Sequence, residues 1–247
     1  MRERNYIAID FDGTLTDSVK GFEEYRGAYL TTLAPKIGMT TEGIEDSLSA
    51  ASRIGGHDYS NPYRQMFTSI STMFRELKIQ DKSVLRHIQE AVYPQMHPHF
   101  KEDAKDFLDE IQTKNAIKIV TNSNGGHVKE KLNILLPGNT IAVIGDAQKH
   151  VVDDAWEDVK ATFHPRGFPE PVRLRRKHYH DHLLNAGNPE AVIGDTYELD
   201  LALPEAKGIH TIFVASSFTP QWELDHYERH PNGRKAATLT EIYKAII

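Results

Sequence analysis

The chain has 247 residues, enough for one large domain or for a core with a smaller second domain. Its formal net charge is −6 and no block of basic residues stands out, which disfavours a nucleic-acid-binding protein. It contains no cysteine, which excludes disulfides, zinc–thiolate sites and cysteine nucleophiles.

The apolar runs of the chain are all short. None approaches the ~20 apolar residues that a membrane span requires. The apolar stretch near the N-terminus is also too short for a signal peptide. We therefore expect a soluble, cytoplasmic protein with no membrane partner.

The first predicted element is a buried strand over residues 6–9, which leads into the sequence Asp-Phe-Asp-Gly-Thr. Because residues i and i+2 of a strand point to the same side, Asp10 and Asp12 are delivered together at its end. Gly13 lets the backbone turn sharply there, with Thr14 beside it. Two carboxylates this close repel each other unless a cation lies between them, and Mg²⁺ prefers such oxygen ligands. The segment predicts a metal-assisted carboxylate site.

A long block that follows, residues 18–97, has no convincing strand. Apolar residues recur in it at helical spacing, as at Met66 and Ile70. We interpret the block as an all-helical insert that is placed to act as a lid over the strand ends. The alternative is a helical subdomain that only adds core. The predicted division is a core of residues 1–17 and 98–247 with a cap of residues 18–97.

After the helical block, β-branched runs alternate with helical patterns. The predicted strands cover 116–120, 140–144, 191–193 and 210–214, and the predicted helices cover 101–114, 127–136, 197–207 and 239–246. The alternation implies right-handed βαβ units in an α/β, doubly wound parallel sheet. Less regular stretches are interpreted as a surface excursion over 145–171 with a short helix at 153–160, a short strand within 173–176, and a loop or edge excursion over 216–234.

Two further strand ends carry polar residues. One strand ends at Thr121, followed by Asn122 and by two glycines that open a helix. A hydroxyl with free amides at a helix N-terminus forms an anion site, although an ordinary helix cap would look the same. Another strand ends in Gly-Asp at Asp195, with Asp200 five residues on. Because Asp195 follows its strand immediately, we expect it at the same edge of the sheet as the first two carboxylates.

These three motifs, in this order, resemble those of the haloacid dehalogenase-like (HAD) hydrolase superfamily. The segment from Asp10 to Thr14 resembles the first motif, Thr121 the second, and Asp195 with Asp200 the fourth. The helical block between the first two motifs resembles the cap of the phosphoglycolate phosphatase-like branch. The resemblance covers nearly the whole chain and implies a Rossmann-like core with a smaller all-helical cap.

The resemblance also implies an activity, a Mg²⁺-dependent phosphomonoester hydrolase that acts on a small phosphorylated metabolite through an aspartyl-phosphate. Asp10 would be the nucleophile, Asp12 the general acid and then base, and Thr121 a donor to the phosphoryl oxygens. Mg²⁺ would be bound by Asp10, Asp195 and the backbone carbonyl of Asp12. Asp200 would support the metal through water or hydrogen bonds. Substrate contacts are expected from Gly13, Thr14 and Asn122.

The third motif should supply a lysine or arginine that offsets the clustered negative charge, and the sequence departs from the family pattern here, since the companion proline is absent. Lys177 precedes a predicted helix that feeds the fourth motif, and Lys149 follows the third strand. Either could reach the site, and the family arrangement slightly favours Lys177.

Three functions remain open at this point. The leading one is the phosphatase, since the dehalogenase branch has no acid at the position of Asp12. A phosphomutase or phosphotransferase would need a histidine and a lysine in the cap, and no persuasive pair is found there. A non-catalytic binding protein would have no need for two adjacent carboxylates. The oligomeric state is not indicated by the sequence.

Overall fold

The computed structural model describes residues 5–55, 62–81, 83–92, 96–165, 171–185, 187–216, 218–230 and 233–246. The chain divides into two compact units. The first unit combines Met1–Ser18 with Phe100–Ile247, and the second is Val19–His99.

The strands belong to the first unit. They are β1 (Tyr6–Ile9), β2 (Ile117–Val120), β3 (Ala142–Ile144), β4 (Thr162–Phe163), β5 (Val172–Arg173), β6 (Pro189–Gly194), β7 (His210–Val214) and β8 (Gly233–Ala236). Six of them form one sheet in the order β3-β2-β1-β6-β7-β8, and every neighbouring pair is parallel. The carboxyl ends of β1, β2, β3 and β6 therefore meet at one edge, on both sides of the central strand β1.

Ten helices and one π-helical turn are described. The helices are α1 (Ser18–Ile37), α2 (Thr41–Gly55), α3 (Pro62–Glu76), α4 (Ser83–Val92), α5 (Ala104–Lys114), α6 (Gly125–Leu135), α7 (Lys177–Asn185), α8 (Ala202–Ala206), α9 (Gln221–Arg229) and α10 (Leu239–Ile246). The π-helical turn, Tyr197–Leu201, directly precedes α8. In the part of the second unit that the structure describes, the regular elements are all helices, as its apolar spacing predicts, and they bury a core around Tyr29, Leu33 and Ile70.

Successive residues of β1 point to opposite faces of the sheet, and each face has its own apolar core. Ile7 and Ile9 pack with α5, α6 and α10, whereas Tyr6 and Ala8 pack with α7, α8 and α9. Helices thus cover both faces of a parallel sheet, and the predicted doubly wound α/β core is confirmed.

Two irregular stretches differ from their sequence interpretation. The segment 153–160 holds turns where a short helix was predicted, and its own residues Trp156 and Val159 pack into the core. The stretch 216–234, interpreted as a loop or edge excursion, contains helix α9 and the start of β8, which is an edge strand of the sheet. The reason is that α9 buries few side chains, mainly Trp222 and Tyr227, and β8 is an edge strand, so neither has a full apolar period.

Strand β4 pairs with β5 in an antiparallel hairpin outside the main sheet, and β5 partly overlaps the short strand predicted within 173–176. Among the described residues, no helix is both long and apolar enough to cross a bilayer.

Candidate active site

Asp10 lies one residue beyond β1, and both of its carboxylate oxygens accept hydrogen bonds. Its amide donates to the Ile193 carbonyl at 2.9 Å, which fixes it between the ends of β1 and β6. Lys149 Nζ donates to its Oδ1 at 2.6 Å, and the Thr14 hydroxyl donates to its Oδ2 at 3.2 Å. Burial raises the pKa of Asp10 to about 7 even though Lys149 acts to lower it. Thr14 therefore contacts the predicted nucleophile itself.

The side chain of Asp12 turns away from Asp10, toward the end of β2. Its Oδ2 accepts a hydrogen bond from Ser123 Oγ at 2.6 Å and lies 3.5 Å from Thr121 Oγ1. Asp12 is exposed whereas Thr121 is buried. The two carboxylates of the first motif thus have different partners, one a lysine and the other a pair of hydroxyls.

Two glycines allow the remaining carboxylates to approach. Gly13 has φ +85°, and a Cβ placed there would lie 2.0 Å from Asp195 Oδ2. Gly194 precedes Asp195, and a Cβ at that position would lie 2.4 Å from the Cβ of Asp200. Since no larger residue fits either position without displacing a carboxylate, the local sequence is constrained by the close packing of acidic groups.

Asp10, Asp195 and Asp200 form a cluster in which one candidate ligand atom from each lies within 4.8 Å of the others. Asp200 Oδ1 accepts from Lys149 Nζ at 2.8 Å, and its Oδ2 accepts from the Thr196 amide at 3.1 Å. No described residue donates a hydrogen bond to the Asp195 carboxylate. Burial, together with the charges of Asp10 and Asp200, raises the pKa of Asp195 well above its usual value.

The donor set of this cluster is suited to a hard divalent cation. All candidate ligand atoms are carboxylate oxygens, and of the three carboxylates Lys149 forms ion pairs with two, those of Asp10 and Asp200. Carboxylate oxygens are the ligands that Mg²⁺ prefers, and a cation would relieve the repulsion that raises the pKa of Asp195. The residues present therefore fit Mg²⁺.

The two candidate lysines lie in different environments. Lys149 is 1% exposed, and its amide donates to the Asn122 side chain at 2.8 Å. Burial opposes its positive charge, but Asp10 and Asp200 outweigh burial and raise its pKa above the ordinary value. The loop that delivers it from β3 includes Asp146 and Gln148, whose φ angles are positive, 51° and 50°.

Lys177 is exposed at the first residue of α7, where its ammonium group binds Asp181 one turn along the helix. The sequence preference for Lys177 is therefore corrected, because this contact holds the lysine on the outside of α7 whereas Lys149 meets the carboxylates. A residue inside α7 does reach the cluster. Tyr179 donates its hydroxyl hydrogen to the Asp200 carbonyl at 2.7 Å, and Lys149 Nζ lies 5.6 Å from the centre of its ring.

The structure also reassigns the predicted anion site at the start of α6. The Asn124 side chain accepts hydrogen bonds from the amides of Gly126 and His127, as an ordinary helix cap does. Asn122 supports the loop that carries Lys149. The hydroxyl groups of Thr121 and Ser123 are therefore the side-chain donors that this strand end presents beside Asp12.

Sequence reasoning missed three residues of this region, namely Ser123, Tyr179 and Lys101. The Lys101 ammonium is buried without a hydrogen-bond partner, and burial lowers its pKa although Asp195, Asp103, Asp17 and Asp10 act to raise it. Position gives a signal for Ser123, which follows Thr121 by two residues. Of the predicted site residues, the structure gathers the following at the shared strand ends: Asp10, Asp12, Gly13, Thr14, Thr121, Asn122, Lys149, Asp195 and Asp200.

The sequence matches no protein-family model and no curated protein. Solved structures are similar over the whole chain. YfnB from Bacillus subtilis, solved bound to magnesium, has a TM-score of 0.58 at 17% identity and covers 100% of this chain and 99% of its own.

Two further structures carry names that state a class. The haloacid dehalogenase-like family hydrolase from Xanthomonas campestris has a TM-score of 0.55 at 15% identity, covering 99% of this chain and 91% of its own. The HAD phosphatase from Thermococcus onnurineus has a TM-score of 0.53 at 15% identity, covering 98% and 97%. The chain has the fold of the haloacid dehalogenase-like hydrolases.

Proposed function

We propose that the chain is a Mg²⁺-dependent phosphomonoester hydrolase of small phosphorylated metabolites, with Asp10 as the nucleophile. The observation that carries the proposal is the meeting of Asp10, Asp195, Asp200 and Lys149 at one edge of the sheet, with Asp12 two residues from the nucleophile. The fold is shared with a protein described as a HAD phosphatase, which supports the reaction class.

Asp10 is suited to covalent catalysis because its carboxylate is fixed before substrate arrives. In the first step an oxygen of Asp10 bonds to phosphorus, the ester P–O bond breaks, and Asp12 gives a proton to the leaving oxygen. In the second step Asp12 takes a proton from water, the water oxygen bonds to phosphorus, and the Asp10–phosphorus bond breaks. The products are the free alcohol and inorganic phosphate.

The residues around Asp10 have different electrostatic roles. Lys149 binds both Asp10 and Asp200, so it orients the nucleophile and offsets part of the carboxylate charge. Thr121 and Ser123 hold Asp12 beside the strand end and offer hydroxyl donors there. Mg²⁺, when bound by Asp10 and Asp195, neutralises the negative charge of the phosphoryl oxygens.

We also infer that the second unit, Val19–His99, is a cap that selects the substrate. It is inserted in the chain directly after the segment that carries Asp10 and Asp12, and it buries its own core. Substrate preference across a panel of phosphorylated metabolites is then expected to follow substitutions in this unit, with the Mg²⁺ requirement unchanged.

The direct test is hydrolysis of an aryl phosphate with Mg²⁺ by the parent protein and by Asp10→Asn. We expect turnover that depends on Mg²⁺ and is lost by at least about 10³-fold in the variant. Trapping of a phosphorylated Asp10 in acid-quenched parent, identified by peptide mass, tests the intermediate separately. If the parent hydrolyses neither the aryl phosphate nor any member of a metabolite panel, the binding-protein function replaces this one.

A further inference from the structure

A second group of side chains in the first unit has the composition of a metal site. Glu205 lies on α8, His226 lies on α9, and His230 is the residue that caps the end of α9. One nitrogen or oxygen atom from each of the three lies within 4.8 Å of the others. The group shares no residue with the carboxylate cluster at the strand ends.

Two polar atoms of this group are buried without a hydrogen-bond partner, His226 Nε2 and Glu205 Oε2. They lie 3.7 Å apart, which is too long for a hydrogen bond between them. The two side chains are 12% and 20% exposed, so water has little access. Buried polar atoms are nearly always paired, and a pair of orphaned atoms that face each other indicates a ligand that would bind both.

The distances suit a tetrahedral ion. Bonds of about 2.0–2.2 Å from a tetrahedral zinc ion place its ligand atoms about 3.3–3.6 Å apart. His226 Nε2 lies 3.7 Å from Glu205 Oε2, and His230 Nε2 lies 3.0 Å from Glu205 Oε1, so the observed separations bracket that range. Two imidazoles with one carboxylate favour Zn²⁺ or a similar transition metal over Mg²⁺ and Ca²⁺, which prefer oxygen ligands.

We propose that Glu205, His226 and His230 bind a transition-metal ion of the Zn²⁺ type, in a centre separate from the carboxylate cluster. Glu205 also lines a cavity of about 420 Å³ together with Tyr197 and Phe163, which leaves room for a fourth ligand such as water. This proposal does not depend on the phosphatase function.

Aromatic residues support this centre and connect it to the active-site segment. The Tyr197 hydroxyl donates to Glu205 Oε1 at 3.3 Å, and its ring centre lies 4.4 Å from that of His226. Tyr197 is the first residue of the π-helical turn that carries Asp200. A metal ion here would join α8 to α9 beside the π-helical turn that precedes α8, so we expect it to stabilise the fold.

The test is calorimetric titration of the full chain with Zn²⁺, performed in the Asp195→Asn background so that the carboxylate cluster does not compete. We expect one tight Zn²⁺ site. His226→Ala should weaken it at least about tenfold, since even residues that only support a metal ligand change affinity by 10–100-fold. The matched control is His178→Ala, an exposed histidine on α7, which should leave the affinity unchanged.

Two measurements on the parent protein do not require a folded variant. Zn²⁺ should raise the melting temperature, and it should shift the side-chain ¹⁵N signals of His226 and His230 but not that of His178. If Zn²⁺ binds no tighter to the parent than to His226→Ala, or if the ¹⁵N signals of both histidines stay in place at saturating Zn²⁺, the proposal is overturned. The group is then an ion-pair cluster of a glutamate with two histidines.

Discussion

The two ligand clusters of the first unit are built in opposite ways. The strand-end cluster takes Asp10 from the end of β1 and takes Asp195 and Asp200 from the segment that follows β6, and glycines allow the groups to approach. The cluster of Glu205, His226 and His230 takes its side chains from α8, from α9 and from the residue that caps the end of α9. The first is held by a buried lysine, whereas the second contains two orphaned atoms.

This difference shows how the negative charge of each cluster is balanced. Lys149 bonds to both Asp10 and Asp200, so part of the strand-end charge is balanced by the protein itself, and the remaining carboxylate of Asp195 is left for a cation. The second cluster has one carboxylate where the first has three, so less negative charge needs to be balanced. A cation that prefers oxygen ligands, such as Mg²⁺, suits the strand-end cluster, and a cation that binds imidazole nitrogen, such as Zn²⁺, suits the cluster of Glu205, His226 and His230.

The largest expected effect comes from removing the buried ammonium group of Lys149, which forms ion pairs with two carboxylates of the strand-end cluster. Lys149→Met should lower kcat for aryl phosphate hydrolysis by about 10²–10³-fold, the effect of losing one fixed electrostatic group in an active site. Lys177→Met, on the exposed face of α7, should stay within about twofold, because exposed ion pairs contribute little. Circular dichroism checks that both variants fold. Equal losses in the two variants would contradict the assignment of Lys149.

The two clusters should also separate by metal. Asp195→Asn removes a ligand of the strand-end cluster, so the Mg²⁺ concentration for half-maximal activity should rise at least about tenfold, since supporting residues alone change metal affinity by 10–100-fold. Zn²⁺ binding measured by calorimetry should persist in the same variant. A variant that loses Mg²⁺ and Zn²⁺ binding together would show that the clusters are one site.

Close approach in the strand-end cluster is tested at Gly13. Gly13→Ala combines a positive φ with a Cβ 2.0 Å from Asp195 Oδ2, so we expect a loss of about 1–3 kcal/mol in unfolding free energy. Gly208→Ala is the matched control in the same unit, with φ +75° and no atom within 4 Å of the added Cβ. It should lose only the strain of its backbone, about 1 kcal/mol. Urea unfolding measures both, and equal losses would remove the argument for close packing.

The last expected effect depends on pH and concerns Glu223, which lies on α9 one turn before His226. Burial raises its pKa to about 8, with further contributions from Asp200 and Glu198. Because the folded state holds this proton more tightly than the unfolded chain, its contribution to stability is present at acidic pH and is lost as pH rises toward 8. For each pH unit over which the parent loses this contribution, the free energy of unfolding of Glu223→Gln should therefore gain up to about 1.4 kcal/mol relative to that of the parent.

Urea unfolding of the parent and of Glu223→Gln at pH 5, 7 and 9 measures this gain. The comparison of the two proteins removes the contributions of other titrating groups, which are common to both. A difference in unfolding free energy that stays constant from pH 5 to pH 9 would show that Glu223 does not titrate in this range.

The sequence alone predicted most strands of the sheet, and it predicted the site residues of the first, second and fourth motifs. This was possible because the signals are local. β-Branched runs define the strands, and Asp10, Asp12, Thr121 and Asp195 follow their strands within three residues. Strand ends of a parallel sheet meet at one edge, so their order in the chain was enough to bring these residues together.

Features that depend on distant contacts were missed. The edge strand β8 and helix α9 have too few buried residues to give a period. His226 and His230 are spaced at i, i+4, which is visible in the sequence, but Glu205 comes from another element that precedes β7. The sequence slightly favours Lys177 because it precedes a predicted helix, whereas in the structure a loop that follows β3 brings Lys149 to Asp10 and Asp200.

What the sequence by itself determined is which carboxylates stand at the strand ends, because each follows its strand within a few residues, whereas the opposite directions of the Asp10 and Asp12 side chains were set by their partners in the fold. Only the tertiary structure decided which lysine meets them and that Glu205 meets two histidines of another segment. The physical reason is that these contacts join segments whose relative placement is set by packing on the sheet, and packing depends on side chains throughout the core.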